Sequence, residues 1–194
     1  MSEKESNTDI RIIKSVFSEE YCKIAFDEIK NSINWQNELT VAGTTNKTKI
    51  NRYMSYVTDK PVIYSYANLE LQGETWIPKL VEIKDTLIGD GRYKFNSVLL
   101  NLYEDGKDEI RWHSDKEKQL GSNPIIACVN LGATRKFWFL EKATGVKTPW
   151  EVSSGDLLIM GPNCQENYLH AILKEKDVTE PRISLTYRWV SDEV

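Results

Sequence analysis

Apolar and polar residues repeat with different periods in the two halves of the chain. In the first half, Ser18 precedes EEYCKIAFDEIKNSI, whose apolar residues recur every three to four positions. This spacing predicts an amphipathic helix with Ser18 as its N-cap and acidic residues in the first turn. Residues 78–87 begin with proline and repeat leucine and isoleucine at helical spacing, which predicts a second helix. Between the two helices, the polar segment from Asn37 to Lys49 suits a hairpin tip or loop.

After Gly91 the pattern changes to short runs of β-branched, aromatic and aliphatic residues. Seven such runs follow one another, and turn signals such as EDG, LGA, SSGD and GPN separate many of them. The runs are FNSVLLNLY, PIIACVNLG, RKFWFL, PWEVS, DLLIM, LHAIL and RISLTYRWV. Many short strands at near-regular spacing predict a sandwich or barrel that closes most of its edges. The predicted class is therefore α+β and β-rich, and a double-sheet jelly roll is one candidate among several.

Length and composition predict one soluble globular domain over residues 1–194. This length suffices for one sizeable core and is short for two domains. No run of 18 apolar residues occurs and the start lacks a secretory pattern, so we expect no membrane association. Three separated cysteines without a CxxC pair favour a reducing, intracellular setting, and we expect a monomer. The net charge of -4 gives no support to nucleic-acid binding over the whole surface.

The candidate chemistry centres on the two histidines of the chain, His113 and His170. The first belongs to His113-Ser114-Asp115, and side chains two apart in an extended strand project from the same face. His170, within LHAIL, can supply a third ligand from another strand. Two imidazoles and one carboxylate suit non-haem iron(II), whereas structural zinc sites usually close their coordination with cysteine. The alternative for either histidine is a hydrogen-bonded ring in a β core.

The last predicted strand adds two arginines. In RISLTYR, residues 182, 184, 186 and 188 share one face. Arginine is rarely buried without an anion, and its fork suits bidentate carboxylate binding. Extended spacing separates the two backbones by roughly 20 Å. One arginine can therefore bind the distal carboxylate of a diacid while the other lies nearer the metal. Solvent-facing or ion-paired arginines are the alternative.

These residues and their surroundings resemble the AlkB-type family of iron(II)- and 2-oxoglutarate-dependent oxygenases. The similarity is greatest to the branch that removes alkyl lesions from nucleic-acid bases. The matching text is FNSVLLNLYEDGKDEIRWHSDKE, PIIACVNLGATRKFWF, SGDLLIMGP, YLHAIL and PRISLTYR, with weaker matches at INRYMSY and VIYSY. The resemblance implies a double-stranded β-helix (jelly-roll) catalytic core over residues 91–194. It implies helices and a nucleotide-recognition lid over residues 1–90, and Fe(II), 2-oxoglutarate and O2 as metal and co-substrates.

The resemblance also implies a role for individual residues. The iron ligands would be His113, Asp115 and His170. The residues around 2-oxoglutarate would be Asn101, Tyr103, Arg182, Ser184 and Arg188, with Arg182 at the far carboxylate and Arg188 also orienting Asp115. The residues around the substrate would be Arg52, Tyr64, Tyr66 and Glu117. Tyr66 would stack on a flipped base whose other face lies near His113. Ordinary packing is the alternative for both tyrosines.

Two departures from the family concern the pockets. Ser184 stands where many relatives have asparagine, so its hydrogen bond to 2-oxoglutarate would reach less far. Duplex-acting relatives carry a bulky apolar finger in the region VAGTTNKTKINR, where this chain has Ala42 at the plausible finger position. Because flipping a base costs least in a single strand, we predict alkylated single-stranded DNA or RNA as the partner.

The expected activity is oxidative dealkylation of N-alkylated bases such as 1-methyladenine and 3-methylcytosine. One alternative is a 2-oxoglutarate oxygenase that hydroxylates or demethylates a protein or a small molecule, which the acidic net charge and the altered lid favour slightly. The other alternative is a binding module that keeps the β core and has lost its chemistry, which the complete ligand set argues against.

Overall fold

The computed structural model describes residues 9–60, 63–66, 68–89, 91 and 93–191. The beginning of the predicted recognition half, residues 1–8, lies outside the described residues. The elements are β1 (Ile10–Ile13), α1 (Glu19–Ser32), β2 (Gln36–Val41), β3 (Lys47–Thr58), β4 (Ile63–Tyr66), β5 (Leu69–Glu74), α2 (Pro78–Ile88), β6 (Ser97–Tyr103), β7 (Ile110–His113), a 3-10 helix (Lys118–Leu120), β8 (Ile126–Gly132), β9 (Arg135–Glu141), β10 (Lys147–Val152), β11 (Leu157–Met160), α3 (Cys164–Asn167), β12 (Tyr168–Ile172) and β13 (Arg182–Arg188).

The strands of the described residues form two sheets that share one core. The larger sheet has the order β1-β11-β8-β13-β6-β3-β2-β5-β4, and the smaller has the order β10-β9-β12-β7. Buried side chains from both sheets pack into one apolar cluster, including Ile126 and Cys128 of β8 with Phe137 and Phe139 of β9. Two sheets packed over a common core are the arrangement of a double-sheet jelly roll.

Both predicted helices are present, and they cover one face of the larger sheet. The Ser18 side chain accepts a hydrogen bond from the first turn of α1, and α2 begins at Pro78. Buried side chains of both helices pack with Ile183, Leu185 and Tyr187 of β13. This packing leaves the arginine-bearing face of β13 for the space between the sheets. The described part of the chain contains no helix long and apolar enough to cross a membrane.

All seven strands predicted in the second half are present, as β6 and β8 to β13. The first half contains more strand than its sequence pattern indicated, because β3, β2, β5 and β4 extend the larger sheet beyond β6. The polar segment from Asn37 to Lys49 lies mostly in β2 and β3, and only residues 42–46 form the hairpin tip. Most residues at the beginning of β3 are exposed. Polar residues therefore occupy strand positions there, and the alternation that marks a half-buried strand is lost.

Candidate metal centre and adjoining cleft

The two histidines lie opposite each other on neighbouring strands of the smaller sheet. β7 and β12 are antiparallel with His113 paired to His170, and the imidazole centroids are 4.2 Å apart. Asp115 follows β7 in an irregular segment rather than in the extended strand that the spacing indicated. Its backbone N–H donates to Gln165 Oε1 at 2.8 Å. Asp115 Oδ1 lies 3.7 Å from His113 Nε2 and 3.9 Å from His170 Nε2. Strand pairing thus brings the two imidazoles together, and the segment after β7 places Asp115 beside both.

The atoms of these three groups fit a divalent cation such as iron(II). The three ligand atoms lie within 4.8 Å of one another. Asp115 Oδ1 is buried without a hydrogen-bond partner among the described residues, which is unfavourable for a carboxylate unless a cation is bound. Because a carbonyl only accepts, His113 Nδ1 donates to the Arg111 carbonyl oxygen at 2.8 Å, leaving the Nε2 lone pair for a metal. Burial lowers the pKa of both imidazoles, that of His170 to about 3, so both are neutral ligands at neutral pH.

Arg188 binds the second oxygen of the same carboxylate. Its Nη2 donates to Asp115 Oδ2 at 2.6 Å, and its Nη1 donates to the Tyr64 hydroxyl oxygen at 2.9 Å. All three side chains are buried. Although burial raises the pKa of Asp115, the Arg188 guanidinium holds that pKa below its usual value. The Asp115 carboxylate is therefore ionised and held in one orientation, in which Oδ2 accepts from Arg188 and Oδ1 faces the two imidazoles.

The residues predicted to surround 2-oxoglutarate lie on two paired strands, β6 and β13. Arg182 pairs in register with Tyr103, and Ser184 pairs with Asn101. One cavity is lined by the metal-binding groups together with Asn101, Tyr103, Ser184 and Arg188. Arg182 is not among its lining residues. Arg182 is 1% exposed, and its guanidinium carbon lies 5.2 Å from the Tyr103 ring centroid. Its Nε and Nη1 have no hydrogen-bond partner within the described residues, so the guanidinium fits a carboxylate ligand.

The residues predicted to contact substrate occupy different depths. Tyr66 lines the metal cavity and meets His113 edge to face, with centroids 6.0 Å apart and planes at 88°. The two rings are therefore not parallel, and a slot for a base stacked on both is not preformed. Tyr64 is fully buried and stacks on Tyr56 at 4.5 Å, which places it in the packing below the site.

The two charged residues of the same predicted set lie beside the metal centre. Arg52 is buried, and its Nε donates to Asn101 Oδ1 at 2.7 Å, so it contacts the co-substrate residues directly. Glu117 lies near Tyr64 and Asp115, and burial raises its pKa to about 7. Its Oε2 is buried without a partner among the described residues. That Tyr64, Tyr66, Arg52 and Glu117 contact the substrate stays a prediction.

An open cleft of about 580 Å³ adjoins the metal centre. Tyr66, Ile110 and His113 line both the cleft and the metal cavity, so the two are continuous. The cleft is also lined by four cationic side chains against one carboxylate, that of Glu109. The four are Lys49, Arg52, Arg111 and Lys174. The local charge is therefore positive although the chain as a whole carries -4. Sequence reasoning missed three of these cations, because they come from separate segments that only the fold brings together.

Comparison with known proteins identifies the family. The family model described as the 2OG-Fe(II) oxygenase superfamily matches residues 9–188. The chain belongs to this superfamily. The oxygenase therefore uses iron(II), 2-oxoglutarate and O2, which confirms the metal and co-substrates expected from the resemblance.

Two curated relatives confirm the AlkB-type resemblance of the oxygenase. It is 35% identical over 150 residues to the Mus musculus protein "Alpha-ketoglutarate-dependent dioxygenase alkB homolog 3", covering 72% of this chain and 51% of that protein. It is 35% identical over 138 residues to the Homo sapiens protein "DNA oxidative demethylase ALKBH2", covering 67% of this chain and 53% of that protein. The oxygenase thus spans about half the length of these curated relatives.

A solved structure confirms the fold of the oxygenase. The structure described as "The structure of OsALKBH1" superposes with a TM-score of 0.62 at 15% sequence identity, covering 95% of this chain and 100% of that chain. At this identity the likeness establishes the shared fold alone. The expected jelly-roll core is confirmed by this superposition together with the two-sheet arrangement.

Proposed function

We propose that the oxygenase removes alkyl groups from N-alkylated bases, such as 1-methyladenine and 3-methylcytosine, in nucleic acid. The observation that carries this proposal is the positively charged cleft that opens onto the metal centre. Contacts between phosphates and lysine or arginine dominate the affinity of proteins for nucleic acid. A local positive cleft meets this requirement in a chain whose net charge is negative. The name of the human relative, a DNA oxidative demethylase, supports the same substrate class.

The proposed reaction balances as follows for a methyl group. One molecule each of 2-oxoglutarate and O2 gives succinate and carbon dioxide, and one oxygen atom is inserted into a C–H bond of the N-methyl carbon. The C–N bond of the resulting N-hydroxymethyl group then breaks and releases formaldehyde. The electron pair of that bond stays on the base nitrogen, which returns to its unmodified form, and the hydroxyl proton is lost to water. Iron(II), when bound, supplies the dioxygen chemistry of this oxidation.

The residues of the chain have distinct tasks in this scheme. His113, Asp115 and His170 would hold the cation, a set of ligands that suits iron(II) in oxygenases. Arg182 binds the distal carboxylate of 2-oxoglutarate, and Arg188 fixes the orientation of Asp115. Burial of these groups excludes water from the reacting atoms, which protects the oxidising steps from side reactions.

Mass spectrometry of a methylated oligonucleotide tests the proposal. A single strand carrying 1-methyladenine or 3-methylcytosine is incubated with the enzyme, iron(II) and 2-oxoglutarate under air. We expect the oligonucleotide to lose the mass of one methylene group and succinate to form in equal amount. Omission of 2-oxoglutarate is the control. Succinate formation without mass loss from any N-methylated strand would refute the substrate class, and it would leave the membership of the superfamily intact.

The hairpin tip between β2 and β3 leads to a prediction about strandedness. Residues 42–46 read Ala-Gly-Thr-Thr-Asn and carry no bulky apolar side chain that could fill the gap left by an extruded base. Because flipping a base out of a duplex then costs a few kcal/mol without compensation, we expect at least about tenfold faster turnover on single strands. Initial rates on one lesion in the same sequence, alone and annealed to its complement, measure the ratio. Equal or faster turnover on the duplex would contradict this prediction.

The cations of the cleft lead to a prediction about salt dependence. Lys49→Gln and Lys174→Gln each remove one exposed positive charge from the cleft. If each side chain contacts one phosphate, the slope of log affinity against log salt concentration falls by about 0.7 per substitution. Fluorescence anisotropy with a labelled single strand measures the slope. Lys23→Gln, which removes an exposed charge from α1, is the matched control. Slopes unchanged in both cleft variants would show that the strand follows another path.

We further propose that the oxygenase acts as a monomer in a reducing, intracellular compartment. Cys22, Cys128 and Cys164 are buried and free. Burial raises the pKa of the Cys22 thiol and raises that of Cys164 to about 12, so both remain protonated and unreactive at neutral pH. Sedimentation under reducing conditions tests the oligomeric state, and a stable dimer at micromolar concentration would contradict a monomer.

A further inference from the structure

The buried guanidinium of Arg182 has a partner that the sequence did not reveal. Its Nη2 donates to Oδ1 of Asn130 on the neighbouring strand β8. Asn130 is fully buried and pairs in register with Ser184, two residues beyond Arg182 on the same face. Arg182 and Asn130 are therefore diagonal neighbours across the antiparallel pair of β13 and β8, and a long side chain can span that separation.

This contact leaves the charge of Arg182 uncompensated. Within the described part of the chain, Arg135 pairs with Glu175 and Arg188 with Asp115, whereas Arg182 pairs with no carboxylate. Burial lowers the pKa of Arg182, and no carboxylate raises it. A buried charge without an ionic partner is unfavourable, so a bound anion stabilises this arrangement.

Asn130 is itself held in one orientation. Its Nδ2 donates to the carbonyl oxygens of Cys128 at 3.3 Å and Asp156 at 3.4 Å. Its backbone N–H donates to the same Asp156 oxygen at 3.2 Å, and its carbonyl oxygen accepts from the Gly155 N–H at 2.8 Å. Because the amide nitrogen faces carbonyl acceptors, only the amide oxygen can be turned to the guanidinium. The position of the acceptor for Arg182 is therefore fixed by the pairing of β8 and β11.

We propose that Asn130 is a positioning residue for 2-oxoglutarate, which directs Arg182 to the distal carboxylate without neutralising it. The amide occupies only Nη2, while Nε and Nη1 keep their hydrogens without a partner among the described residues. A neutral acceptor fixes the side chain and preserves its full charge for the ligand. A carboxylate at position 130 would instead form an ion pair and compete with the co-substrate. This proposal rests on the co-substrate of the superfamily and is independent of the nucleic-acid substrate.

Ligand binding without turnover tests the proposal. The Kd of 2-oxoglutarate is measured by calorimetry with Mn(II) in the absence of O2, for the wild type and for Asn130→Asp. The matched ligand is 2-oxobutyrate, which keeps the 2-oxo acid end and lacks the distal carboxylate. We expect the variant to bind 2-oxoglutarate at least about tenfold more weakly, since a charge-assisted hydrogen bond is lost. The affinity for 2-oxobutyrate should change by less than about twofold, because the charge-assisted contact with Arg182 requires a distal carboxylate.

The ratio of the two affinities distinguishes positioning from a merely structural role. Equal weakening of both ligands, or unchanged binding of 2-oxoglutarate, would overturn the proposal. Asn31→Asp, which adds the same charge on the exposed side of α1, is the control and should bind both ligands as the wild type does. If Asn130→Asp does not fold, Asn130→Ser provides the same comparison with a shorter acceptor.

An exchange across the strand pair provides a rescue experiment. Asn130→Ser combined with Ser184→Asn moves the amide to its register partner on β13, which keeps an amide beside Arg182. We expect this double variant to recover part of the selectivity for 2-oxoglutarate over 2-oxobutyrate that Asn130→Ser loses. The recovery should exceed the gain that Ser184→Asn alone gives, because an amide at position 184 can also contact 2-oxoglutarate directly. No recovery, in a protein that remains folded by circular dichroism, would overturn the view that an amide acceptor directs Arg182.

Discussion

Replacement of His170 by glutamine is expected to reduce 2-oxoglutarate-dependent succinate release by more than about 100-fold. Loss of a residue that only hydrogen-bonds to a metal ligand typically reduces activity by about 10- to 100-fold, so the larger loss indicates a ligand. His170 is buried and contributes one of the three groups around the metal position. Glutamine has a comparable size but offers no imidazole lone pair, so the cation keeps two strong ligands. Succinate release at saturating iron(II) is the measurement.

The glutamine variant separates metal binding from folding. The His170 ring packs against the rings of Phe137 and Phe139, with centroids 5.5 and 6.2 Å away, so an alanine would leave a cavity in the core. Circular dichroism and thermal unfolding without metal should therefore show a folded His170→Gln variant. Activity within tenfold of the wild type in such a protein would refute the assignment of His170 as a ligand.

Removal of one partner from the buried pair of Asp115 and Arg188 is expected to destabilise the metal-free protein by about 3–5 kcal/mol. Arg188→Met leaves the Asp115 carboxylate in the core without its guanidinium, and Asp115→Asn leaves the guanidinium without its anion. The double variant removes both charges, so its destabilisation should be smaller than the sum of the two single effects. Urea unfolding in the presence of a chelator measures all four proteins.

A surface pair is the control for this cycle. Lys116 Nζ lies 2.8 Å from Glu166 Oε2, but the two side chains are 51% and 73% exposed. Because solvent screens such pairs, Lys116→Met should unfold at nearly the same urea concentration as the wild type. Strictly additive effects at Asp115 and Arg188 would show that the buried pair does not act as a unit.

The sequence predicted those parts of the fold whose residues repeat with a clear period. The helix after Ser18 and the helix from Pro78 follow from apolar spacing and capping, and the seven strands of the second half follow from short apolar runs. The strands β2 to β5 were not predicted as such. Solvated residues such as Lys47 and Lys49 interrupt the alternation there, and the pairing of β3 with β6 depends on distant parts of the chain.

The site was predicted as a set of residue types, and its geometry was not. That His113 and His170 are register partners depends on how β7 meets β12, and nothing local to either strand encodes that register. The contact of Gln165 with the Asp115 backbone comes from a helix of four residues, which has no periodic signature. Asn130 was missed for a related reason: its side chain matters only through a neighbour on another strand.

The guanidinium of Arg188 connects β4 with the predicted metal centre. One arm reaches the Tyr64 hydroxyl on β4, in the half expected to recognise the base, and the other reaches the carboxylate that holds the cation. One guanidinium thus ties the position of β4 to the orientation of the Asp115 carboxylate, so a substitution that removes the Tyr64 hydroxyl leaves Arg188 with the carboxylate as its one side-chain acceptor among the described residues.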